Sequence, residues 1–404
     1  MWFRGAPLVA HADRDSVPKI ERPTCLSAGA ALLMRLLGCP GRENPVTAAS
    51  PDRANLALTR GRLSAFDPQD NGITAARMAL ALTVVVSHSV ARGGFGLEPL
   101  VHESQGHVSL GFAAVIGFFA ISGFLLARSR ERTPLLAFVR NRGLRILPGY
   151  WVALLFGALV AAPLGAALAG NRVELGTALQ YLAANVALLG DSASAPVQPA
   201  FGGQPVNGSL WTLGIEALAY LVLVVVPLRW LRTVAVAELV LLAAVWGFSP
   251  SLQGAETILL LSFAFGVCAW LWRHRLPMSI LSLAIAWVLA GVALLLGIVP
   301  LAVILIGYGA LGLAWLPIRL ERDLSYGVYV FAYPIQQVLA VAGVPALGLG
   351  VMIAASIALV LPLALTSWTL IERPALSFRS HSPGHAAPRR AAPIARPLVA
   401  DSPT

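Results

Sequence analysis

Ten stretches of apolar residues, each close to the length that crosses a lipid bilayer, follow one another through most of this 404-residue chain. An α-helix needs about twenty such residues to span the hydrocarbon layer. The stretches lie at 74–92, 108–127, 146–168, 209–228, 231–248, 254–272, 277–296, 298–316, 324–343 and 347–371. Only 12% of the residues are charged and 57% are hydrophobic, which leaves too little polar surface for a soluble fold. The sequence therefore predicts an all-α integral membrane protein with about ten transmembrane helices.

The distribution of arginine predicts the orientation of these helices. The connection between the second and third spans carries six arginines, and with ten spans the later basic connections fall on the same side. By the positive-inside rule this side is cytoplasmic, and both termini are expected there. A shorter apolar segment at 176–190 would reverse the later connections if it crossed, so we predict that it does not span.

The two ends of the chain differ from the apolar core. Residues 1–70 are rich in Arg, Pro, Asp and Ser and predict a disordered or loosely structured extension, and residues 377–404 predict a disordered tail. The core, 71–376, forms one multi-pass domain. The net charge of +10 comes from basic residues between apolar runs, which is typical of anchoring at an anionic membrane surface and not of nucleic-acid binding. Three scattered cysteines give no metal-binding pattern.

The first span contains two ionisable residues, Arg77 and His88. Eleven residues correspond to about three helical turns and a rise of roughly 16 Å, so both project from nearly one face. Ionisable groups inside a membrane are costly and are therefore candidates for function. A histidine at this depth could act as a general base toward a hydroxyl, or it could pair with a neighbouring helix for packing.

The fourth span places Thr212, Glu216 and Tyr220 on one helical face, because they are spaced four residues apart. The carboxylate of Glu216 should face protein or water. It could orient and stabilise the imidazole of a histidine, or it could pair with an arginine as a structural contact.

Two arginines, Arg142 and Arg145, lie one turn apart before Pro148, a proline that could begin the third span. Forked guanidinium groups suit the phosphates of a donor molecule, although from the residues alone ordinary positive-inside charge is the favoured explanation.

The ninth span carries a polar stripe at helical spacing. Ser325, Tyr329, Tyr333 and Gln336 or Gln337 belong to it. Such a stripe can line a cavity or hydrogen-bond neighbouring helices.

Six collinear segments give the chain a resemblance to the membrane acyltransferase 3 family of multi-pass O-acyltransferases. They are Arg77 to His88 in the first span, GFFAISGFLLARS around Ser122, the stretch from Arg142 to Trp151, SLWTLGIEALAY around Glu216, LSYGVYVFAYP from Leu324, and the closing SWTLIERP. The resemblance covers residues 71–374 and implies a ten-span core.

The resemblance also implies roles for the residues that match. His88 would be the catalytic base or a transient acyl carrier, with Arg77 holding it or the donor, and Glu216 would support catalysis. The predicted donor- and substrate-binding residues are Arg77, Arg142, Arg145, Ser122, Trp211, Tyr220, Ser325 and Tyr329. Many family members have a histidine near the end of the ninth-span motif, where this chain has Tyr333 before Pro334. His102 and His107 follow the first span but lack motif support.

The function implied is transfer of an acyl group, usually acetyl, from cytoplasmic acyl-CoA to a hydroxyl of a carbohydrate or a related envelope or secondary-metabolite acceptor. The protein would be an acyltransferase of the bacterial inner membrane, with no metal and no bound cofactor, and acyl-CoA as its donor substrate. The alternative is a transporter or flippase of an envelope component, because an in-membrane histidine and glutamate would suit proton coupling as well.

Overall fold

The computed structural model of the protein describes residues 61–63, 72–188, 200–249, 253–314, 318 and 320–379. Most of the predicted N-terminal extension and of the C-terminal tail lies outside these residues.

The described chain folds almost entirely into helices. A short strand β1 (Gly61–Arg62) precedes α1 (Ile73–Arg92), α2 (Leu110–Arg132) and α3 (Leu135–Phe156), which continues through a π-helical turn (Gly157–Ala161) into α4 (Ala162–Leu168). The next elements are α5 (Leu175–Asn185), α6 (Trp211–Val225), a 3₁₀ turn (Leu228–Trp230), α7 (Leu231–Phe248), α8 (Ala255–Leu271), β2 (Pro277–Met278), α9 (Ile280–Leu295) and α10 (Val299–Leu313). The last are α11 (Ser325–Val341), a 3₁₀ turn (Val344–Leu347), α12 (Leu349–Ser367), a π-helical turn (Trp368–Glu372) and α13 (Arg373–Ser377).

Five helical stretches in the described residues are long and apolar enough to cross a membrane on their own. They are Ile73–Arg92, Leu110–Arg132, Leu135–Leu168, Leu228–Phe248 and Leu349–Ser377. The other five predicted spans also form helices, α6, α8, α9, α10 and α11, but these have only 15 to 17 residues. At 1.5 Å per residue, they are shorter than the roughly 30 Å hydrocarbon layer. The structure thus supports a multi-pass helical protein, and by length and composition it supports five of the ten crossings. The segment predicted not to span contains the 11-residue helix α5, about half the length that a crossing requires.

The third span differs most from its prediction. Helix α3 begins at Leu135, eleven residues before the predicted start at 146, so Pro148 lies inside the helix and does not begin it. The predicted span starts after Arg142 and Arg145 because a hydropathy scale counts every arginine as unfavourable in a membrane helix. The scale does not consider whether another side chain pairs with the arginine. In the structure Arg142 and Arg145 are helical residues that face neighbouring helices.

Close helix contacts hold the centre of the fold together. Helix α2 packs against α8, α10 and α1, and α11 packs against α1 and α12. A Cβ atom on Gly123 of α2 would lie 2.2 Å from the carbonyl oxygen of Phe263, and one on Gly266 of α8 would lie 2.1 Å from that of Ala120. Small residues allow such approach, which is a main source of packing energy between membrane helices.

Three residues of the predicted N-terminal extension are attached to the arginine-rich end of the fold. Strand β1 pairs antiparallel with β2, which lies just before α9. The backbone of Leu63 then donates to the carbonyl oxygen of Leu276 at 3.1 Å, and its side chain is buried. This end of the extension is therefore part of the fold.

Candidate active site

A cavity of about 50 Å³ lies between α1, α2, α6 and α11. It has room for a few water molecules or a small acyl group. Its polar lining residues are Arg77, Ser122, Thr212, Glu216, Ser325, Tyr326 and Tyr329, set among apolar side chains that include Phe118 and Leu213. Five of these seven are predicted site residues, and they come from four helices that are far apart in the sequence.

Two arginines meet on one carboxylate beside this cavity. Arg77 of α1 and Arg145 of α3 each donate to the same oxygen, Oδ2 of Asp323, at 2.6 Å. Burial by itself would raise the pKa of Asp323, but the two guanidinium groups, a hydrogen bond from Ser325 and one from Arg145 hold this pKa below its usual range. Asp323 is therefore a stable anion.

Aromatic rings flank the same pair of arginines. The guanidinium of Arg77 lies 6.0 Å from the ring centre of Phe118, and that of Arg145 lies 5.9 Å from the ring centre of Tyr326. Gly149, one turn after Arg145, lets α3 approach closely, because a Cβ there would lie 2.5 Å from the ring of Tyr326. The arginine pair is held on one side by a carboxylate and on the other by ring faces.

Glu216 lies in the cavity wall with two hydroxyl donors. Ser122 of α2 donates to Oε1 at 3.0 Å, and Tyr220, one turn along α6, donates to the same oxygen. Arg142 interacts electrostatically with Glu216 and Tyr220, and Arg77 also interacts with Tyr220. The buried Nε of Arg142 has no hydrogen-bond partner among the described residues. The direct partners of Glu216 in the described residues are thus two hydroxyl groups, and Arg142 acts on it electrostatically.

His88 lies at the other end of α1, about three turns from Arg77. Its ring meets Tyr333 of α11 edge to face, with ring centres 5.3 Å apart. Its Nδ1 is buried and has no hydrogen-bond partner within the described part of the chain. A histidine nitrogen in this position can accept a proton from a group that enters the site.

Two charged residues act on His88, and both follow it closely in the chain. They are Glu98, in the connection after α1, and Arg92. Ser87 donates to the Glu98 carboxylate and accepts a hydrogen bond of 2.8 Å from the backbone of Gly111. The guanidinium of Arg92 lies 5.4 Å from the ring centre of Tyr333. The carboxylate beside His88 is therefore Glu98 and not Glu216.

Polar contacts fix the relation between α1 and α11. Gln336 donates from Nε2 to the carbonyl oxygen of Val85 and to the hydroxyl of Ser89, both at 2.8 Å. A similar contact joins α6 to α11, where the hydroxyls of Thr212 and Tyr329 are 2.7 Å apart. Part of the polar stripe of the ninth span thus lines the cavity, at Ser325 and Tyr329, and part of it joins helices.

The remaining predicted site residues lie next to the cavity and do not line it. Trp211 stacks on Phe112 with ring centres 6.5 Å apart. Tyr220 contacts the lining residue Glu216, and Arg145 shares the Asp323 carboxylate with the lining residue Arg77. His107 contacts Trp246, and His102 is exposed.

Sequence reasoning missed two acidic residues of the site, Asp323 and Glu98. Each sits in a connection outside the predicted spans, where hydropathy gives no signal. For Asp323 the available clue is an acidic residue directly before the polar stripe, on the side where arginine predominates. In the described residues no group of three or more His, Cys, Asp and Glu side chains could hold a metal ion.

These features define a class of protein: a multi-pass helical membrane protein with a buried polar site in which arginines, carboxylates and a histidine converge on α1. A family model described as an acyltransferase domain matches residues 70–370, and the chain belongs to this acyltransferase family. It is therefore an acyltransferase that transfers groups other than amino-acyl groups.

Two curated relatives agree with this assignment. An exopolysaccharide production protein, ExoZ of Rhizobium meliloti (strain 1021), is 30% identical over 305 residues, which is 67% of this chain and 91% of the relative. An O-acetyl transferase of Shigella phage Sf6 is 26% identical over 333 residues, which is 76% of this chain and 96% of the relative. No solved structure matches the chain significantly.

Proposed function

We propose that the protein transfers an acyl group, usually acetyl, from acyl-CoA to a hydroxyl of a carbohydrate or a related envelope or secondary-metabolite acceptor. One observation carries the proposal: α1 has an arginine pair beside a polar cavity at one end and a histidine with an unpartnered Nδ1 at the other. The printed names of the relatives, one an O-acetyl transferase and one an exopolysaccharide production protein, support the O-acyl reaction and a carbohydrate acceptor.

The donor binds at the arginine-rich end. Guanidinium groups form paired, charge-assisted hydrogen bonds with phosphate oxygens, and each of Arg77 and Arg145 uses one amino group on Asp323. Arg142 has an unpartnered Nε. The flexible arm of the donor then passes along the polar wall formed by Ser122, Ser325 and Tyr329 and carries the thioester toward His88.

The chemical step takes place at His88. Nδ1 removes the proton of the acceptor hydroxyl as its oxygen attacks the thioester carbonyl. The new C–O ester bond forms, the C–S bond breaks, and the proton passes from the imidazolium to the departing thiolate. A positioned general base contributes about 10²- to 10⁴-fold to such a reaction. The Glu98 carboxylate stabilises the imidazolium while it exists.

The distribution of the arginines supports a particular orientation of the helices in the membrane. We propose ten crossings in the bacterial inner membrane with both termini in the cytoplasm. The contacts of Arg77 and Arg145 with Asp323, and of Arg140 with Phe378, gather the basic ends of α1, α3, α11 and α13 on one side. That side is cytoplasmic by the positive-inside rule, and it is also the side where acyl-CoA is available.

The test compares native protein with a His88→Ala variant at equal abundance in the membrane. Mass spectrometry of envelope glycans and extracted metabolites should find an acyl ester with the native chain and lose it with the variant. His102→Ala, an exposed histidine after the same helix, is the matched control and should keep the ester. The proposal is rejected if the native chain adds no acyl group to any species, or if His88→Ala leaves the ester in place.

A further inference from the structure

A fourth arginine, Arg379, lies at the arginine-rich end of the site. It follows α13, in a segment that the sequence assigned to a disordered tail. Its charged neighbours are Arg145, Arg142, Asp323 and Arg77. Arg379, two residues after the end of α13, thus interacts with the charged side chains beside the cavity.

Local contacts hold Arg379 in this place. Helix α13 packs against α3, and Arg140 of α3 donates to the carbonyl oxygen of Phe378 at 2.6 Å. The backbone nitrogen of Arg379 donates to the carbonyl oxygen of Leu376 at 3.2 Å. The residue before Arg379 is therefore fixed to the same helix that carries Arg142 and Arg145.

The guanidinium of Arg379 is incompletely satisfied. Its Nε is buried and has no hydrogen-bond partner in the residues that the structure describes, and the same holds for Nε of Arg142. Burial lowers the pKa of Arg379 to about 10, assisted by the positive charges of Arg145 and Arg142. A buried cationic donor without an acceptor costs free energy, so two of them in one group of charges require an explanation.

The side chains in this group carry an excess of positive charge, which an anion could compensate. Four guanidinium groups, those of Arg77, Arg142, Arg145 and Arg379, interact electrostatically with three carboxylates, Asp323, Glu372 and Glu216. Glu372 accepts from Ser367 at 3.1 Å and interacts with Arg145, while Asp323 is shared between Arg77 and Arg145. Arg142 has Glu216 as its acidic neighbour, so the positive charge that is least compensated lies on Arg379, although both guanidinium groups have an unpartnered Nε.

We infer that Arg379 and Arg142 together form a phosphate-binding site for the acyl donor, with their two Nε–H groups directed to phosphate oxygens. This inference rests on the proposed function and assigns a donor-binding residue outside the predicted transmembrane domain. Donor phosphates supply the acceptor oxygens that both guanidinium groups lack, and they offset the excess positive charge.

Direct binding to the purified full-length chain in detergent tests the inference without an acceptor. The probes are CoA, which carries the phosphates, and pantetheine, which shares the thiol arm and lacks them. Because a hydrogen bond to a charged group is worth about 1.5–3 kcal/mol, Arg379→Ala should weaken CoA binding about tenfold or more, and Arg379→Lys should restore part of the loss. Pantetheine binding should be the same for the native chain and both variants.

The matched control is Arg275→Ala, an exposed arginine on the connection after α8 at the same end of the fold. It should bind CoA as the native chain does. Equal CoA binding by native and Arg379→Ala protein would overturn the inference and leave the proposed function standing. Equal weakening of CoA and pantetheine would also overturn it, because it indicates a structural role. Failure of the native chain to bind CoA would instead reject acyl-CoA as the donor.

Discussion

Arg77 and Asp323 are separated by 246 residues in the chain, and their side chains meet in a hydrogen bond of 2.6 Å. This contact joins the start of α1 to the connection before α11. It lies beside the polar cavity and brings Arg145 of α3 to the same carboxylate oxygen. Three helices that carry predicted site residues are therefore held in register by one acidic side chain.

Replacing Asp323 with asparagine should destabilise the protein and slow acyl transfer. The change leaves Arg77 and Arg145 close together without their shared negative charge, and both are mostly buried. Loss of one partner of a buried pair costs about 3–5 kcal/mol. Because these side chains keep some contact with solvent, we expect about 1–3 kcal/mol, measured by thermal unfolding in detergent. Glu321→Gln, two residues away and exposed, should unfold as the native chain does.

Replacing Glu216 with glutamine should reduce acyl transfer by about tenfold or more while the protein remains folded. The amide retains an oxygen for Ser122 and Tyr220, but it removes the negative charge beside Arg142. A hydrogen bond to a charged group is worth about 1.5–3 kcal/mol, which sets this scale. Ester formation in membranes from matched expression gives the measurement, with the exposed Glu256→Gln as control. Native rates for the Glu216 variant would show that its charge has no part in the reaction.

Glu98→Gln should lower kcat with little change in KM for the donor. Glu98 interacts with His88 and accepts a hydrogen bond from Ser87, at the end of α1 away from the arginines. Its charge stabilises the imidazolium that forms during proton transfer, and the arginine group is untouched. Steady-state kinetics with varied acyl-CoA separates the two parameters. The exposed Glu103→Gln in the same connection is the control. An increase in KM alone would contradict the role given to Glu98.

Gly123→Ala should destabilise the fold by separating α2 from α8. The added Cβ would lie 2.2 Å from the carbonyl oxygen of Phe263, a backbone atom that cannot move aside without shifting its helix. Overpacking of this kind costs about 1–3 kcal/mol. Gly291→Ala in α9, where the added Cβ meets no atom within 4 Å, is the matched control. Thermal unfolding of the two variants should differ, and equal midpoints would argue against tight packing at Gly123.

The proposed orientation can be tested by labelling single cysteines in intact cells. In a chain without its native cysteines, Glu103→Cys should react with a thiol reagent that does not cross the inner membrane. Arg275→Cys should react only after the membrane is opened. Both positions are exposed, and they lie in connections that the ten-span arrangement places on opposite sides. The reverse labelling pattern would show that the orientation is inverted. Labelling of both cysteines in intact cells would exclude the ten-span arrangement.

The sequence by itself determined the helical architecture and the approximate positions of its helices, except for the start of the third span. Twenty-residue apolar runs can satisfy their backbone hydrogen bonds in lipid only as helices or closed barrels, so composition and length were sufficient. The distance between Arg77 and His88 along α1 could also be predicted from the sequence, since a helix fixes the separation of residues along its axis. Ser122, Ser325 and Tyr329 could be named from motifs, and the structure places them in one cavity with Arg77 and Glu216.

Only the tertiary structure decided which side chains meet. The sequence offered His88 as a partner for Glu216, but Glu216 is hydrogen-bonded to Ser122 and Tyr220, and the carboxylate near His88 is Glu98. The arginines of α3 were predicted to lie in a connection, yet they are helical, and Asp323 and the ring of Tyr326 flank the charge of Arg145. Hydropathy and helical spacing act within one segment of the chain. A salt bridge or a cavity depends on how segments pack against one another, and in this protein that packing is set by close glycine contacts and by one shared carboxylate.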